Sequence, residues 1–210
     1  MTNPRLFNHD LNDDCYRVRL MAALAGVALD IRPVDMFPGY EHRSPEFVAL
    51  NPLARLPLMH ADGMILRQTE AMLLYLAAVG PRGPEFLPKD PAAHALMQDW
   101  LFFAARELGA ASQARAVAML GAEGDGMELA MMARRGLRML EDHMTEQRHK
   151  GMDFVTGAHP SVADIALFPA FALCRDFNLD HDAFPALRRW ARQIRQLRGF
   201  ISMPGIPDYH

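Results

Sequence analysis

The stretch Asn51-Pro52-Leu53-Ala54-Arg55-Leu56-Pro57-Leu58 is where residue types and spacing in this chain point most directly to chemistry. Proline has no N–H and does not fit inside a central strand. Pro57 is therefore placed at the first position of a strand, just after a turn. X-Pro bonds adopt the cis form far more readily than other peptide bonds. A cis bond at Leu56-Pro57 would turn the N–H and C=O of Leu56 outward at the sheet edge, where a peptide-like ligand would pair with them as an added strand does. A plain proline turn entering a strand is the other reading of the same residues.

The elements that must hold this segment alternate in type. Arg5 to Asn8 read as a short strand. Cys15 to Ala25 read as a helix with Val18, Leu20, Met21 and Leu24 on a wide apolar face and Gly26 ending it. Leu29 to Val34 read as the next strand. Ser44 to Leu50 read as a short helix with Ser44 as cap and Pro45 in its first turn. Leu58 to His60 and Met64 to Leu66 flank Ala61-Asp62-Gly63, which is hairpin chemistry. A helix from Thr69 to Val79 follows. The order β-α-β-α-β-β-α predicts a small mixed sheet with helices on its faces, and it puts Pro57 at the start of the third strand.

Prolines and glycines from Gly80 to Pro91 punctuate the chain strongly. They divide it into a first domain over 1–80, a linker over 81–91 and a second domain over 92–210. Strand signals vanish beyond the linker. Helical spacing runs from Ala92 to Ala118, from Met127 to Arg148, from Ser161 to Phe177 and from Pro185 to Leu197. The fold class expected is thus α/β followed by all-α. Ser161-Val162-Ala163-Asp164 reads as a capping box ahead of an apolar run. Arg188, Arg192, Arg195 and Arg198 form a stripe at helical spacing, expected to face solvent, and the tail from Pro204 to Asp208 is expected to be irregular.

Composition excludes several classes. The chain has 210 residues, half of them hydrophobic, which is enough for two small cores. Its net charge of -3 argues against nucleic acid or an anionic membrane as partner. Two cysteines do not make a secreted disulfide framework, and Cys174 lies in an apolar run that predicts core. No apolar run approaches the roughly 20 residues of a membrane span, and the first residues carry no apolar signal segment. Cytoplasmic location is the expectation. The fifteen methionines suggest adaptable packing, and no metal is expected.

Three signals occur in order: Asn51 to Leu58, then Gln68-Thr69-Glu70-Ala71-Met72-Leu73-Leu74-Tyr75-Leu76, then Ser161-Val162-Ala163-Asp164-Ile165-Ala166. In this the chain resembles the cytosolic glutathione transferase superfamily over essentially its whole length. The resemblance implies a thioredoxin-like first domain, an all-helical second domain and a homodimer. It implies a cis bond at Pro57 and glutathione as co-substrate along the edge beside Leu56. It matches Gln68 and Thr69 to the pair that holds the γ-glutamyl end, with Thr69 opening a helix, either as ligand or as a simple N-cap. It matches Arg55 to a basic position near the glycyl carboxylate, where a solvated arginine is equally consistent. The implied reaction is attack of the glutathione thiolate on a small hydrophobic electrophile, the chemistry of detoxification.

Such chemistry needs a thiolate, and a free thiol is mostly protonated at neutral pH. Matching Cys15-Tyr16-Arg17-Val18-Arg19 to the family's first helix puts Asn12 where members carry a Ser or Cys donor. An Asn amide can still donate to a thiolate, helped by the positive end of the helix, whereas Asp13 and Asp14 disfavour one. Cys15 is the alternative thiol, in the position of the second cysteine of a redox Cys-x-x-Cys, and a buried helix residue is the favoured reading. His9, Phe103 and Arg106 are candidates for the electrophile pocket, with structural histidine and core aromatic as the plainer readings. Two other functions stay open on this fold: a glutathione-dependent disulfide reductase or isomerase, and a non-catalytic binding module.

Overall fold

The computed structural model describes residues 3–209. Strand β1 (Arg5–Asn8) leads to helix α1 (Asp13–Ala25), strand β2 (Asp30–Pro33), helix α2 (Pro45–Leu50), the hairpin of β3 (Leu58–Ala61) and β4 (Met64–Leu66), and helix α3 (Thr69–Val79). The four strands form one sheet in the order β2-β1-β3-β4. β1 runs parallel to β2, and α1 is the crossover that a parallel pair requires. β1 runs antiparallel to β3, with Phe7 opposite Leu58. α1 buries Val18, Leu20, Met21 and Leu24 and ends at Gly26, whose φ of 76° is the left-handed conformation that glycine adopts without cost. A smaller core joins Cys15, Val34, Phe47, Leu56 and Leu58 on the α2 side.

The second domain is helical: α4 (Pro91–Arg106), α5 (Gly109–Leu120), α6 (Gly126–His149), α7 (Val162–Ala172) and α8 (Pro185–Arg195). The helical spacing from Ala92 to Ala118 belongs to two helices, not one. The break falls at Glu107-Leu108, where the Leu108 side chain is fully buried. A Cβ on Gly136 of α6 would come within 2.7 Å of the Leu108 side chain, so a glycine notch on α6 receives the break. The run from Ser161 to Phe177 also divides. Pro169 removes one N–H from α7, the helix stops at Ala172, and a 3-10 turn over Cys174–Phe177 completes the stretch.

α7 is buried along its whole length and forms the centre of this domain. The capping box at its start is part of a larger network around the buried Asp164 carboxylate. That carboxylate accepts from Val155 N–H at 3.0 Å, Ser161 N–H at 2.8 Å, the Ser161 hydroxyl at 2.9 Å and Trp190 Nε1–H at 2.9 Å. Glu141 of α6 does similar work at a distance, taking the Ala186 and Leu187 N–H groups at the start of α8 at 2.9 Å each. The arginine stripe on α8 is less free than its spacing suggests. Arg188 pairs with Asp182 at 2.6 Å, Arg192 donates to the Tyr209 carbonyl at 2.9 Å, and Arg195 pairs with Asp208. Two of these contacts tie down the tail. Among the described residues no helix is long and apolar enough to cross a membrane.

Candidate active site

A cleft of about 660 Å³ lies between the two domains. It is within the size range of small-ligand sites. The sheet side of the cleft is built from the starts of α1, β3 and α3, and the helical side from the end of α4, α5 and the start of α6. Asn12, Arg55, Leu56, Pro57, Gln68 and Thr69 all line it. Residues far apart in the chain thus converge because β3 pairs with β1, and β1 feeds α1.

The Leu56-Pro57 peptide bond is cis, as is Phe37-Pro38. The Leu56 side chain is buried in the smaller core, while its backbone N–H and C=O make no hydrogen bond among the described residues. Asn51 shapes the turn that delivers it. Fully buried, Asn51 donates from Nδ2 to the Arg55 carbonyl at 2.8 Å and accepts the Leu53 N–H at 3.2 Å. Its two amide ends satisfy the turn, and the Leu56 N–H and C=O stay unpaired among the described residues beside the cleft.

At α3 the cap position is Gln68 and not Thr69, and Gln68 makes no capping bond with its side chain. Thr69 is the first helical residue. The first N–H groups of α3 are therefore without a side-chain cap in a wall of the cleft, the arrangement that favours an anion. Arg55 lines the same wall.

Asn12 is the N-cap of α1. Its Oδ1 accepts the Cys15 N–H at 2.8 Å, which leaves Nδ2 without a partner among the described residues. The amide that caps the helix therefore carries a free donor in the cleft. Cys15 itself is fully buried against the sheet, does not line the cleft, and its thiol is pushed far above the ordinary range by desolvation. It is a core residue. His9, Phe103 and Arg106 are not among the cleft residues either. Phe103 packs edge-on to Trp100 at 5.0 Å, and Arg106 is exposed. The wall they were expected to form is instead made by small residues such as Ala104, Ala105, Gly109 and Ala116.

Asp13 and Asp14 also line the cleft, together with Arg17, which the sequence reading did not assign. Arg17 is buried and pairs with Asp14, one turn earlier, and lies 3.7 Å from Asp13. These three are legible at i, i+3 and i, i+4 spacing once the helix start is known. Burial, with the like charges of Asp13 and Glu70, pushes the Asp14 carboxyl up to about 6 against the pull of Arg17. From the second domain, Ser112 donates to Asp13 and Arg115 to the Leu11 carbonyl. No sequence signal marks those two.

Sequence models of the glutathione S-transferase N-terminal domain and C-terminal domain match residues 15–79 and 104–193. The chain belongs to the glutathione S-transferase family. It is 26% identical to maleylacetoacetate isomerase of Rattus norvegicus over 96% of this chain and 92% of that protein. It is 27% identical to glutathione S-transferase D7 of Anopheles gambiae over 93% of this chain and 88% of the relative. Among solved structures, a possible glutathione S-transferase from Rhodopseudomonas palustris superposes with a TM-score of 0.83 at 27% identity, covering 98% of this chain and 92% of that one.

Proposed function

We propose that this chain is a glutathione-dependent transferase that joins the glutathione thiolate to a small hydrophobic electrophile. The observation that carries the reading is the free Nδ2 of Asn12, in the same cleft as the unpaired Leu56 backbone and the uncapped start of α3. In this reading the Leu56 N–H and C=O pair with the cysteinyl part of the tripeptide. Gln68 and the α3 N-terminus hold the γ-glutamyl carboxylate, Arg55 the glycyl carboxylate. Asn12 then donates to the sulfur, and the catalytic gain comes from a lowered thiol pKa and from proximity of the electrophile.

Isomerase chemistry on the same bound glutathione is the second reading, and the relative named maleylacetoacetate isomerase supports it. The helical wall speaks for conjugation of a neutral electrophile. It carries Glu123, Asp125 and Glu128, and no lysine, arginine or histidine is among the residues it contributes to the cleft. An acetoacetate carboxylate approaching from that side meets like charge. Cytoplasmic location and a homodimer complete the proposal. Exposed apolar side chains on α4 and α6, among them Leu96, Phe102, Met131 and Met139, are apolar surface that a second copy would cover.

Parallel assays with a chlorodinitrobenzene and with maleylacetone as second substrates, at fixed glutathione, test the choice. Faster turnover of the neutral aromatic electrophile supports conjugation, and cis-trans isomerisation without conjugation supports the second reading.

A further inference from the structure

Asn12 is held from both sides by the second domain. Arg115, on α5, is buried to 3% exposure and makes two contacts: Nε to the Asp176 carboxylate at 2.7 Å and Nη1 to the carbonyl of Leu11. One turn earlier on the same helix, Ser112 donates to the Asp13 carboxylate. Leu11 and Asp13 are the immediate neighbours of Asn12. Within one turn of α5, then, two side chains cross the domain boundary and grip the residues flanking the cap. The remaining ties are local: Asn12 N–H donates to the His9 carbonyl at 3.1 Å, its Oδ1 accepts the Cys15 N–H at 2.8 Å, and its carbonyl accepts the Tyr16 N–H at 3.0 Å.

We propose that Arg115, oriented by Asp176, is a positioning residue that sets where the Asn12 amide stands relative to the glutathione sulfur. The inference rests on the transferase reading above and adds to it the residues that make the donor's place depend on the second domain. The chemistry is specific to arginine. Its planar guanidinium can meet a carboxylate along one edge and a carbonyl along another without changing rotamer, and lysine offers a single point charge. Asp176 matters because it fixes the plane of that guanidinium. The grip reaches Leu11 through its backbone, so the side chain of residue 11 is not what is read. An error of an ångström in a donor of this kind weakens a hydrogen bond that acts only on the charged sulfur. The grip should therefore show in the thiolate and in turnover more than in glutathione affinity, which depends on Leu56 and the start of α3.

The test uses the full chain and the variants Arg115→Met, Arg115→Lys and Asp176→Asn. The thiol pKa of bound glutathione is read from thiolate absorbance against pH, and kcat and KM for glutathione are measured alongside. Arg115→Met is expected to raise the bound thiol pKa by about one unit, a tenfold loss of thiolate below that pKa. kcat should fall by a similar factor and KM for glutathione by contrast should stay within about threefold. Asp176→Asn and Arg115→Lys should give intermediate values in the same direction, and they carry the test if Arg115→Met does not fold. Hydrogen exchange at the Cys15 and Tyr16 amides should speed up in these variants relative to amides in α3. Unchanged thiol pKa and kcat in the folded variants would overturn the inference and leave the transferase reading intact. Wild-type protein that binds no glutathione would overturn that reading, and the positioning role with it.

Discussion

Asn12 and Cys15 share one hydrogen bond, 2.8 Å from the Cys15 N–H to the Asn12 side-chain oxygen, and it gives the two ends of the Asn12 amide separate tasks. One end caps α1 and the other is free in the cleft. Substitutions separate these tasks. Asn12→Asp keeps an N-cap acceptor and is expected to change stability by no more than a few tenths of a kcal/mol. It removes the donor and adds a negative charge beside the sulfur, so turnover should fall at least tenfold. Asn12→Ala should lose the cap as well, about 1 kcal/mol in urea unfolding. Asn12→Ser, which can both cap and donate, should retain activity. Urea titrations and steady-state kinetics on the three variants check the order.

Asp14 gives the chain a defined pH dependence. Its carboxyl is raised to about 6 in the folded protein, above its unfolded value. Between pH 4 and 6 the folded state therefore binds more protons than the unfolded state, and this group's contribution to stability declines as pH rises through that window. Above it the contribution is flat. Asp14→Asn stands in for the protonated carboxyl at every pH and so removes the slope. Urea midpoints of wild type and Asp14→Asn should lie close together near pH 4, where Asp14 is also neutral, and separate as pH rises, wild type falling relative to the variant; parallel curves would contradict the assignment.

Burial assigns Cys15 to the core. A thiol reagent should leave it unmodified in the native protein and label it only after unfolding. Cys15→Ser should lower stability and leave glutathione turnover within about twofold. Disulfide reduction that vanished in this variant would restore the redox reading.

The buried Asp164 carboxylate ties the start of α7 to α8 and to the segment before α7. It satisfies donors from Val155, Ser161 and Trp190. Asp164→Ala strands buried N–H groups from all three and is expected to cost about 3–5 kcal/mol, the scale for breaking a buried charged network. Ser161→Ala removes only the hydroxyl and should cost about 1 kcal/mol. Chemical unfolding monitored by far-ultraviolet dichroism distinguishes the two.

Carboxylates on the helical wall should govern choice of the second substrate. Replacing Glu123 and Glu128 together by glutamine removes two like charges from the cleft. kcat/KM for a carboxylate-bearing electrophile should rise about 2–5-fold at low salt, with little change for a neutral one, and the difference should shrink as ionic strength increases.

Periodicity and punctuation made most of the fold readable. Gly26 ends α1, Ser44-Pro45 starts α2, and Asp62-Gly63 turns the hairpin, each because local chemistry leaves few alternatives. The break before Gly109 was not readable, because the notch at Gly136 that receives Leu108 lies on α6, the next helix but one along the chain from α4. In the cleft, Leu56, Pro57 and Gln68 could be placed because a strand start after proline and a helix start are legible as backbone positions. Thr69 was placed one residue off as a possible cap, since nothing in Gln68-Thr69 distinguishes cap from first turn. His9, Phe103 and Arg106 illustrate the opposite limit. Phe103 and Arg106 lie on α4, but Ala104 and Ala105 are the α4 residues that line the cleft, and His9, in the turn between β1 and α1, does not reach it. Ser112 and Arg115 carry no local mark, since their partners are about a hundred residues away in the chain.

The central claim is that a glutathione sulfur sits within reach of the Asn12 amide and is ionised by it. Thiolate absorbance of glutathione bound to the wild-type protein, titrated against pH and repeated with Asn12→Asp, addresses it directly. A bound thiol pKa at least one unit below that of free glutathione, and restored to the free value or above it by the substitution, is the predicted result. Glutathione that binds with its free-solution thiol pKa in both proteins, or does not bind, would contradict it.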